Sequence, residues 1–301
     1  MNLKNRLISK LRKEFPQVKF KSAKLITKGW DHDVLVLDNK LIFRFGKEKL
    51  YKTSFAREIK FLKEFSKISN LKVPNYLFQS KDKSFGGYEI IKGYELTPKI
   101  YKNLSQVKKR KITKDLAKFL TILHSLPLTK AKKFGFKNYK SWKKILEEKQ
   151  KWFNKEYYPK MTRYLTTAQN AFIKKFITNF CNSQRSIKPV LGHYDLSHDH
   201  IIMNKDGTIS GIIDFGDLSI EDPAKEFNGF IDYSNDVDIA KQIYKHYRGP
   251  RDPKFLKRCR EHFIDRWIFL LYDGKIRRKN KHLWKEANNT INKIIKEENN
   301  N

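Results

Sequence analysis

The sequence predicts an α+β fold of two lobes: a small antiparallel β-rich lobe over residues 1–92 and a larger helical lobe over residues 93–301. Short runs of β-branched and aromatic residues dominate the first part, and helical periodicity dominates from about residue 95. A single β interruption, at 190–214, divides the helical part. Strands followed by helices in this order are typical of an α+β plan.

The N-terminal lobe begins with a predicted amphipathic helix over residues 1–16, where leucine or phenylalanine recurs every fourth residue. The pattern then changes to β over 23–46, with a hairpin turn at 38–40. A second helix follows Thr53 or Ser54, either of which can cap it. Another β segment at 87–93 completes a small sheet with one helix packed on it.

The C-terminal lobe is predicted to be helical on both sides of one β hairpin. Thr113 caps a helix of strong apolar periodicity, and further helical stretches cover about 141–180 and 236–297. The hairpin between them turns at 204–207, an Asn-Lys-Asp-Gly sequence. The linker between the lobes is expected near 92–94, and clefts between lobes are common ligand sites.

Composition narrows the class of protein. The chain has 301 residues, 65 Lys and Arg against 32 Asp and Glu, and a net charge of +33. Such a charge suits nucleic-acid binding, but the lysines are spread along the whole chain, which favours solvated helix faces. The longest apolar run, Trp267–Tyr272, is too short to span a membrane, and two cysteines cannot build a disulfide framework. We therefore expect a cytoplasmic protein without a specific nucleic-acid or membrane partner.

One segment opposes the overall charge. Residues 214–238 contain eight acidic side chains and one basic side chain, a net charge of −7. In a chain this basic, the segment indicates a local site for cations. The cation is a metal ion or a cationic substrate, or the site binds both.

The strongest chemical signal is a pair of short motifs, His193-Tyr-Asp195-Leu-Ser-His-Asp-His200 and Gly211-Ile-Ile-Asp214-Phe-Gly-Asp217. Apolar stretches precede both acids, so each acid is expected at a strand end. The hairpin can bring His200 and Asp214 to one divalent ion, with Asp195 nearby to orient a hydroxyl nucleophile. This arrangement suits phosphoryl transfer. The alternative enzyme class is a hydrolase in which these His and Asp residues bind a metal ion. The other histidines of the chain are isolated in the sequence, which argues against that alternative.

These motifs resemble the catalytic and magnesium loops of the protein-kinase-like superfamily, and above all those of the aminoglycoside phosphotransferases. His-x-Asp-Leu, with Asp-Phe-Gly-Asp downstream, is the pattern of that family. A histidine at the position of His200 is similar to the 2″-phosphotransferases, where it replaces the usual asparagine. Further support comes from the segments 91–98 and 212–217 and from Asp222-Pro223. The resemblance covers roughly residues 20–275 and implies a two-lobed, protein-kinase-like fold.

For the phosphate donor, the resemblance implies that Asp195 orients the acceptor hydroxyl and that His200 and Asp214 bind Mg²⁺. Arg44 stands where kinases have a phosphate-binding lysine, with Glu58 as its ion-pair partner. The remaining implied contacts are Gly29 in the phosphate-covering loop, Glu89 and Ile91 at the hinge that meets the base, and Tyr88 at the hinge entrance. A tyrosine at that entrance leaves a guanine pose available, so GTP is expected to serve as well as ATP or better.

For the acceptor, the resemblance implies a polycationic aminoglycoside, to which the acidic segment would be complementary. The expected contacts are Asp217, Glu221, Asp222, Asp232 and Asp236, with Trp267 beside the sugar rings. The predicted activity is Mg²⁺-dependent transfer of the γ-phosphate of GTP or ATP to a hydroxyl, 2″ by this resemblance, conferring antibiotic resistance. A monomer is expected. Two alternatives stay open: a kinase of another small alcohol such as choline, homoserine or a methylthio-sugar, and a basic nucleic-acid-binding protein with a decayed kinase core.

Overall fold

A computed structural model describes residues 1–27, 32–47, 51–137, 139–183, 186–233 and 238–300, apart from the side chains of 51–53 and 232–233. A five-stranded antiparallel sheet forms the N-terminal lobe, in the order β1-β2-β3-β5-β4. Its strands are β1 Ala23–Ile26, β2 His32–Leu37, β3 Leu41–Gly46, β4 Tyr76–Gln79 and β5 Phe85–Glu89. The tight turn between β2 and β3 places Asp38 and Asn39 in the left-handed region, which these two residue types tolerate better than most.

Helix α1, Leu3–Glu14, packs its leucine stripe on the sheet and begins at Asn2, whose side chain caps it. The core between them contains Leu7, Leu11, Phe43 and Phe85. Helix α2, Tyr51–Phe65, contacts β3 and β4. These contacts hold the α2 side chains next to those of β3, which places Glu58 opposite Arg44.

The C-terminal lobe is mostly helical. Its helices are α3 Pro98–Asn103, α4 Gln106–His124, α5 Leu128–Lys133, α6 Trp142–Trp152, α7 Tyr158–Met161, α8 Thr167–Cys181, α9 Pro223–Glu226, α10 Asp238–His246, α11 Phe255–Tyr272 and α12 Lys281–Asn299. Its strands are β6 Tyr94–Glu95, β7 Val190–Gly192, β8 Ile201–Met203, β9 Ile209–Ile212 and β10 Ser219–Glu221. Strands β6, β8 and β9 form one small sheet, and β7 pairs with β10. None of the described helices is both long and apolar enough to cross a membrane.

The two lobes share a core on one side of the cleft. Phe61, Leu62 and Phe65, at the end of α2, belong to the large apolar cluster of the helical lobe. The backbone N–H of Ile212 donates to the carbonyl of Lys72 at 2.8 Å, which ties the β8–β9 hairpin to the segment after α2. The predicted α+β, two-lobed fold is confirmed, and the division at residues 92 and 93 stays a prediction.

Candidate active site

The predicted catalytic loop leaves β7 and is held by a buried carboxylate. The Glu226 carboxylate, at the end of α9, accepts the backbone N–H of His193 at 2.6 Å and that of Tyr194 at 2.9 Å. Tyr194 has a φ of 59°, a left-handed conformation that costs a bulky residue about 1–3 kcal/mol. Gly192 precedes the loop because a Cβ there would lie 2.6 Å from Glu226 Oε2. These contacts fix the direction in which Asp195 leaves the loop.

His193 connects this loop to the second motif. Its Nδ1 accepts the backbone N–H of Asp195 at 3.3 Å, and its Nε2–H donates to the carbonyl of Ile213 at 3.0 Å. The ring is buried against Phe215, with ring centres 4.6 Å apart. Burial lowers the pKa of His193, so the neutral ring suits both hydrogen bonds. The Asp195 loop and the Asp214 segment are thereby held in one frame.

Three predicted residues, Asp195, His200 and Asp214, come together in the cleft. His200 Nδ1 lies 2.6 Å from the Asp195 carbonyl and 3.4 Å from Asp195 Oδ2. On the other side of the ring, Nε2 lies 3.7 Å from Asp214 Oδ2 and 3.8 Å from Asp199 Oδ2. Burial raises the pKa of Asp195 to about 7, against the opposing effect of His200. A carboxyl with such a pKa can accept a proton near neutral pH.

Arg44 joins the N-terminal lobe to this cluster. The buried guanidinium donates to Glu58 Oε1 at 2.7 Å and to Asp214 Oδ1 at 2.6 Å. It also donates to the Tyr76 hydroxyl at 3.2 Å, and to His32 Nδ1 at the same distance. Burial disfavours the ionised carboxyl of Asp214, but the charges of Arg44 and His200 outweigh burial and hold its pKa well below the ordinary range.

His32 and Tyr76 are contacts that the sequence motifs did not reveal. Burial and the charge of Arg44 lower the pKa of His32 to about 3, so the neutral ring can accept from Arg44. The Tyr76 hydroxyl donates to Glu58 Oε1 at 3.2 Å. Tyr76 lies on β4, a strand that the sequence did not predict, so no pattern linked it to Arg44.

The acidic segment is divided between two uses. Asp217 and Glu221 line an open pocket of about 350 Å³ beside the catalytic loop, together with Arg57, Tyr194, Ser219 and Lys225. Glu221 also makes an ion pair with Lys225. The two carboxylates share the pocket lining with two cationic side chains, and the pocket borders Tyr194, the residue before Asp195.

Asp222 and Trp267 are buried and contact other residues of the protein. This differs from the expectation that they contact an acceptor. The Asp222 carboxylate is 2% exposed and accepts from Arg258 at 2.8 Å and 3.1 Å, and its Oδ2 lies 3.0 Å from His262 Nε2. It also caps α9 through the N–H of Ala224. Trp267 is 7% exposed and belongs to the large apolar cluster. We therefore leave both out of the acceptor surface.

Three of the predicted positions lie outside what the structure describes. Gly29 and Asp236 are outside the described residues, and Asp232 is placed without its side chain. At the hinge, Tyr88 is buried and packs edge-on against Tyr76, with ring centres 5.0 Å apart. Glu89 ends β5 opposite Leu41. Ile91 lies next to Gly211 of β9, so the hinge segment borders the β8–β9 hairpin.

Comparisons with known proteins identify a family and structures of similar fold. A family model described as a phosphotransferase enzyme family matches residues 22–258. The structure of the GDP complex of wild-type aminoglycoside 2'-phosphotransferase-IIIa is 18% identical, with a TM-score of 0.85 over 99% of this chain and 100% of that one. The GDP and kanamycin complex of APH(2")-IIia is 21% identical, with a TM-score of 0.86 over 98% and 99%. A macrolide 2'-phosphotransferase type I is 13% identical, with a TM-score of 0.74 over 97% and 99%.

Fold and site together define a kinase-type phosphotransferase. The family match covers most of the chain, and the protein belongs to this phosphotransferase enzyme family. The predicted resemblance to the aminoglycoside phosphotransferases is confirmed, since structures of these enzymes share its fold along nearly its whole length.

Proposed function

We propose that the protein transfers the γ-phosphate of GTP, or of ATP, to the 2″-hydroxyl of an aminoglycoside and so confers resistance. The observation that carries the proposal is the meeting of Asp195, His200 and Asp214 beside a pocket lined by Asp217 and Glu221. The first three supply a proton acceptor and ion ligands, and the last two supply negative charge for a cationic acceptor. Together they match the requirements of phosphoryl transfer to a polycation.

The donor side is assigned to the N-terminal lobe. Arg44 presents a buried guanidinium at the cleft, and guanidinium binds phosphate oxygens in a bidentate manner. Gly29 belongs to the proposed phosphate-covering loop, and Glu89 to Ile91 to the proposed base-binding hinge. Tyr88 fills the space behind the hinge with a buried ring, which supports a shallower nucleotide pose and good use of GTP.

A divalent ion is required beside the phosphates, and the donor set fits one. His200 Nε2 and an oxygen of Asp214 face each other across 3.7 Å. Among the described residues, no three His, Cys, Asp or Glu side chains are preassembled as an ion site. This agrees with an ion held by one or two protein groups plus substrate phosphates, as is common for Mg²⁺. When bound, the ion neutralises charge on the phosphate oxygens.

The chemical step needs a correctly oriented hydroxyl. Asp195 accepts the hydrogen bond of the acceptor 2″-OH and takes its proton as the oxygen bonds to the γ-phosphorus. The bond from that phosphorus to the β–γ bridging oxygen breaks, and the nucleoside diphosphate leaves with the electron pair. Arg44 stabilises the developing charge on the phosphate oxygens.

The acceptor side is assigned to the acidic segment. Asp217 and Glu221 are proposed to bind ammonium groups, joined by Asp232 and Asp236. Structures of similar fold bind kanamycin, gentamicin and streptomycin, which are cationic ligands of this kind. We further propose a monomer.

A phosphate-transfer assay tests the proposal. The purified protein is incubated with [γ-³²P]GTP or ATP and a panel of kanamycin, gentamicin, a macrolide, choline and homoserine, and NMR locates the new phosphate. We expect transfer to the 2″ position of an aminoglycoside. A macrolide or a small alcohol as the better acceptor would overturn the aminoglycoside assignment, and transfer at another hydroxyl would overturn the 2″ assignment. A tenfold preference for ATP would refute the expected use of GTP.

A further inference from the structure

We propose that the ion site of this protein selects Mn²⁺ over Mg²⁺ because a histidine nitrogen, His200 Nε2, is one of its two facing ligands. The inference rests on the proposed function of this site, and it concerns which ion binds there. Its test is a binding measurement, so its outcome does not depend on any acceptor being phosphorylated.

The first step is the tautomer of His200. Nδ1 lies 2.6 Å from the backbone carbonyl oxygen of Asp195. A carbonyl can only accept a hydrogen bond, so Nδ1 carries the hydrogen. Since a histidine must be neutral to bind a metal ion, the nitrogen that can offer its lone pair to the ion is Nε2. A hydrogen bond from the second ring nitrogen to a carbonyl is the usual way in which a protein orients a metal-binding histidine.

The second step is what Nε2 faces. It lies 3.7 Å from Asp214 Oδ2 and 3.8 Å from Asp199 Oδ2, too far for a hydrogen bond to either. Two metal–ligand bonds of about 2.1 Å together span up to ~4.2 Å, so one ion can touch Nε2 and a carboxylate oxygen across either gap. Two carboxylate oxygens therefore lie on the side of the ring where an ion can meet Nε2.

Asp199 is also held in place. The Ser197 hydroxyl donates to Asp199 Oδ1, which leaves Oδ2 directed toward the His200 ring. Ligands whose other atoms are hydrogen-bonded in this way are already oriented for an ion. Asp199 was not among the predicted ligands, and its position adds a second carboxylate to the side of the ring that faces Asp214.

The third step is the preference of the ions. Mg²⁺ takes oxygen ligands and loses water reluctantly, whereas imidazole suits first-row transition metals. Mn²⁺ also accepts an octahedral set of oxygen ligands, as phosphates and waters would supply. A site with one imidazole nitrogen and carboxylate oxygens therefore favours Mn²⁺ by more than an all-oxygen site would.

The test compares the ratio of the two affinities between variants. Free Mn²⁺ is titrated by electron paramagnetic resonance with the full-length wild type, with His200→Asn and with His200→Gln, each saturated with GDP to supply the phosphate ligands, and Mg²⁺ is added as competitor. His246→Asn, which removes an exposed histidine on α10, is the matched control for surface binding. We expect the Mn²⁺-to-Mg²⁺ affinity ratio to fall about tenfold or more in His200→Asn and to stay at the wild-type value in the control.

An unchanged ratio in both His200 variants, or no Mn²⁺ site in the wild type, would overturn the inference. Circular dichroism shows whether each variant folds, and His200→Gln replaces His200→Asn if the latter does not. If neither variant folds and the wild type binds Mg²⁺ more tightly than Mn²⁺, the inference is also overturned. A lowered ratio in a protein that phosphorylates no aminoglycoside would leave the metal inference standing and refute the proposed function alone.

Discussion

Glu226→Gln removes the charge that holds the catalytic loop while keeping the shape of the side chain. In the wild type, the two carboxylate oxygens accept from the N–H groups of His193 and Tyr194 at 2.6 and 2.9 Å. Glutamine offers one oxygen and one NH₂ group, so one of the two buried N–H groups must face a donor. The loop is expected to move so as to avoid that contact, and Asp195 moves with it.

The expected size follows from these two hydrogen bonds. A hydrogen bond to a charged group contributes about 1.5–3 kcal/mol, and an N–H left buried without an acceptor costs about 1–3 kcal/mol. Since one bond is lost and the other weakened, we expect the free energy of unfolding to fall by about 2–4 kcal/mol. A displacement of the catalytic group by about 1 Å is expected to lower kcat by about a hundredfold.

Urea unfolding measures the first effect, and steady-state phosphate transfer at a temperature where the variant is folded measures the second. Glu286→Gln, an exposed change on α12, is the matched control and should alter neither quantity. Because the proposed base contacts and Arg44 lie in the N-terminal lobe, KM for GTP should change less than kcat. A variant as stable and as fast as the wild type would refute the role given to Glu226.

Three further outcomes are expected. Asp195→Asn should lower turnover at least about a hundredfold with unchanged urea stability, and near-normal turnover would remove Asp195 from its role. Arg44→Met should lower the free energy of unfolding by about 3–5 kcal/mol because it leaves Glu58 buried without its cation, whereas Arg44→Lys should restore part of the loss. Asp222→Asn should cost less, about 1–3 kcal/mol at neutral pH, because Arg258 loses its buried partner but keeps its ion pair with Asp252.

The Asp222 effect has a definite pH window. Arg258 and His262 outweigh burial and hold the pKa of Asp222 below its ordinary value, so its contribution to stability is fully present above the unfolded pKa of about 3.9. The contribution is lost as pH falls further. The difference between the wild type and Asp222→Asn in urea unfolding should therefore shrink below about pH 4. A difference that keeps its pH 5 value down to about pH 2 would contradict this account.

The sequence predicted what depends on local pattern. Alternation and turn residues located the β2–β3 and β8–β9 hairpins, and the two motifs located Asp195, His200 and Asp214. Patterning could not reveal β4, because its four residues lie on the sheet edge with half-buried and exposed positions in turn. Tyr76 lies on β4, so its contact with Arg44 was missed as well. The two residues are 32 positions apart in the sequence, and no local pattern links them.

The acidic segment shows what a charge count cannot resolve. A net charge of −7 predicted a surface for cations, and only burial reveals which carboxylates are directed into the fold. Asp222 meets Arg258, Glu226 meets two backbone N–H groups, and Asp214 meets Arg44. Their sequence neighbours Asp217 and Glu221 line the pocket, where Glu221 pairs with Lys225. Identical side chains in one segment thus take different roles according to the partner that the topology brings to them.

The pairing of Arg44 with Asp214 bears on how the cleft accepts a nucleotide. Each terminal guanidinium nitrogen already has a carboxylate, Glu58 on one side and Asp214 on the other. A triphosphate offers anionic oxygens to Arg44, and its ion offers a cation to Asp214. Arg44 and Asp214 can therefore each exchange one charged contact for another. Glu58 stays buried and retains Arg44, which keeps the guanidinium at the cleft during the exchange. The Arg44–Asp214 contact therefore balances two charges in the cleft, and in the proposed reaction a nucleotide with its ion would replace it without leaving either charge uncompensated.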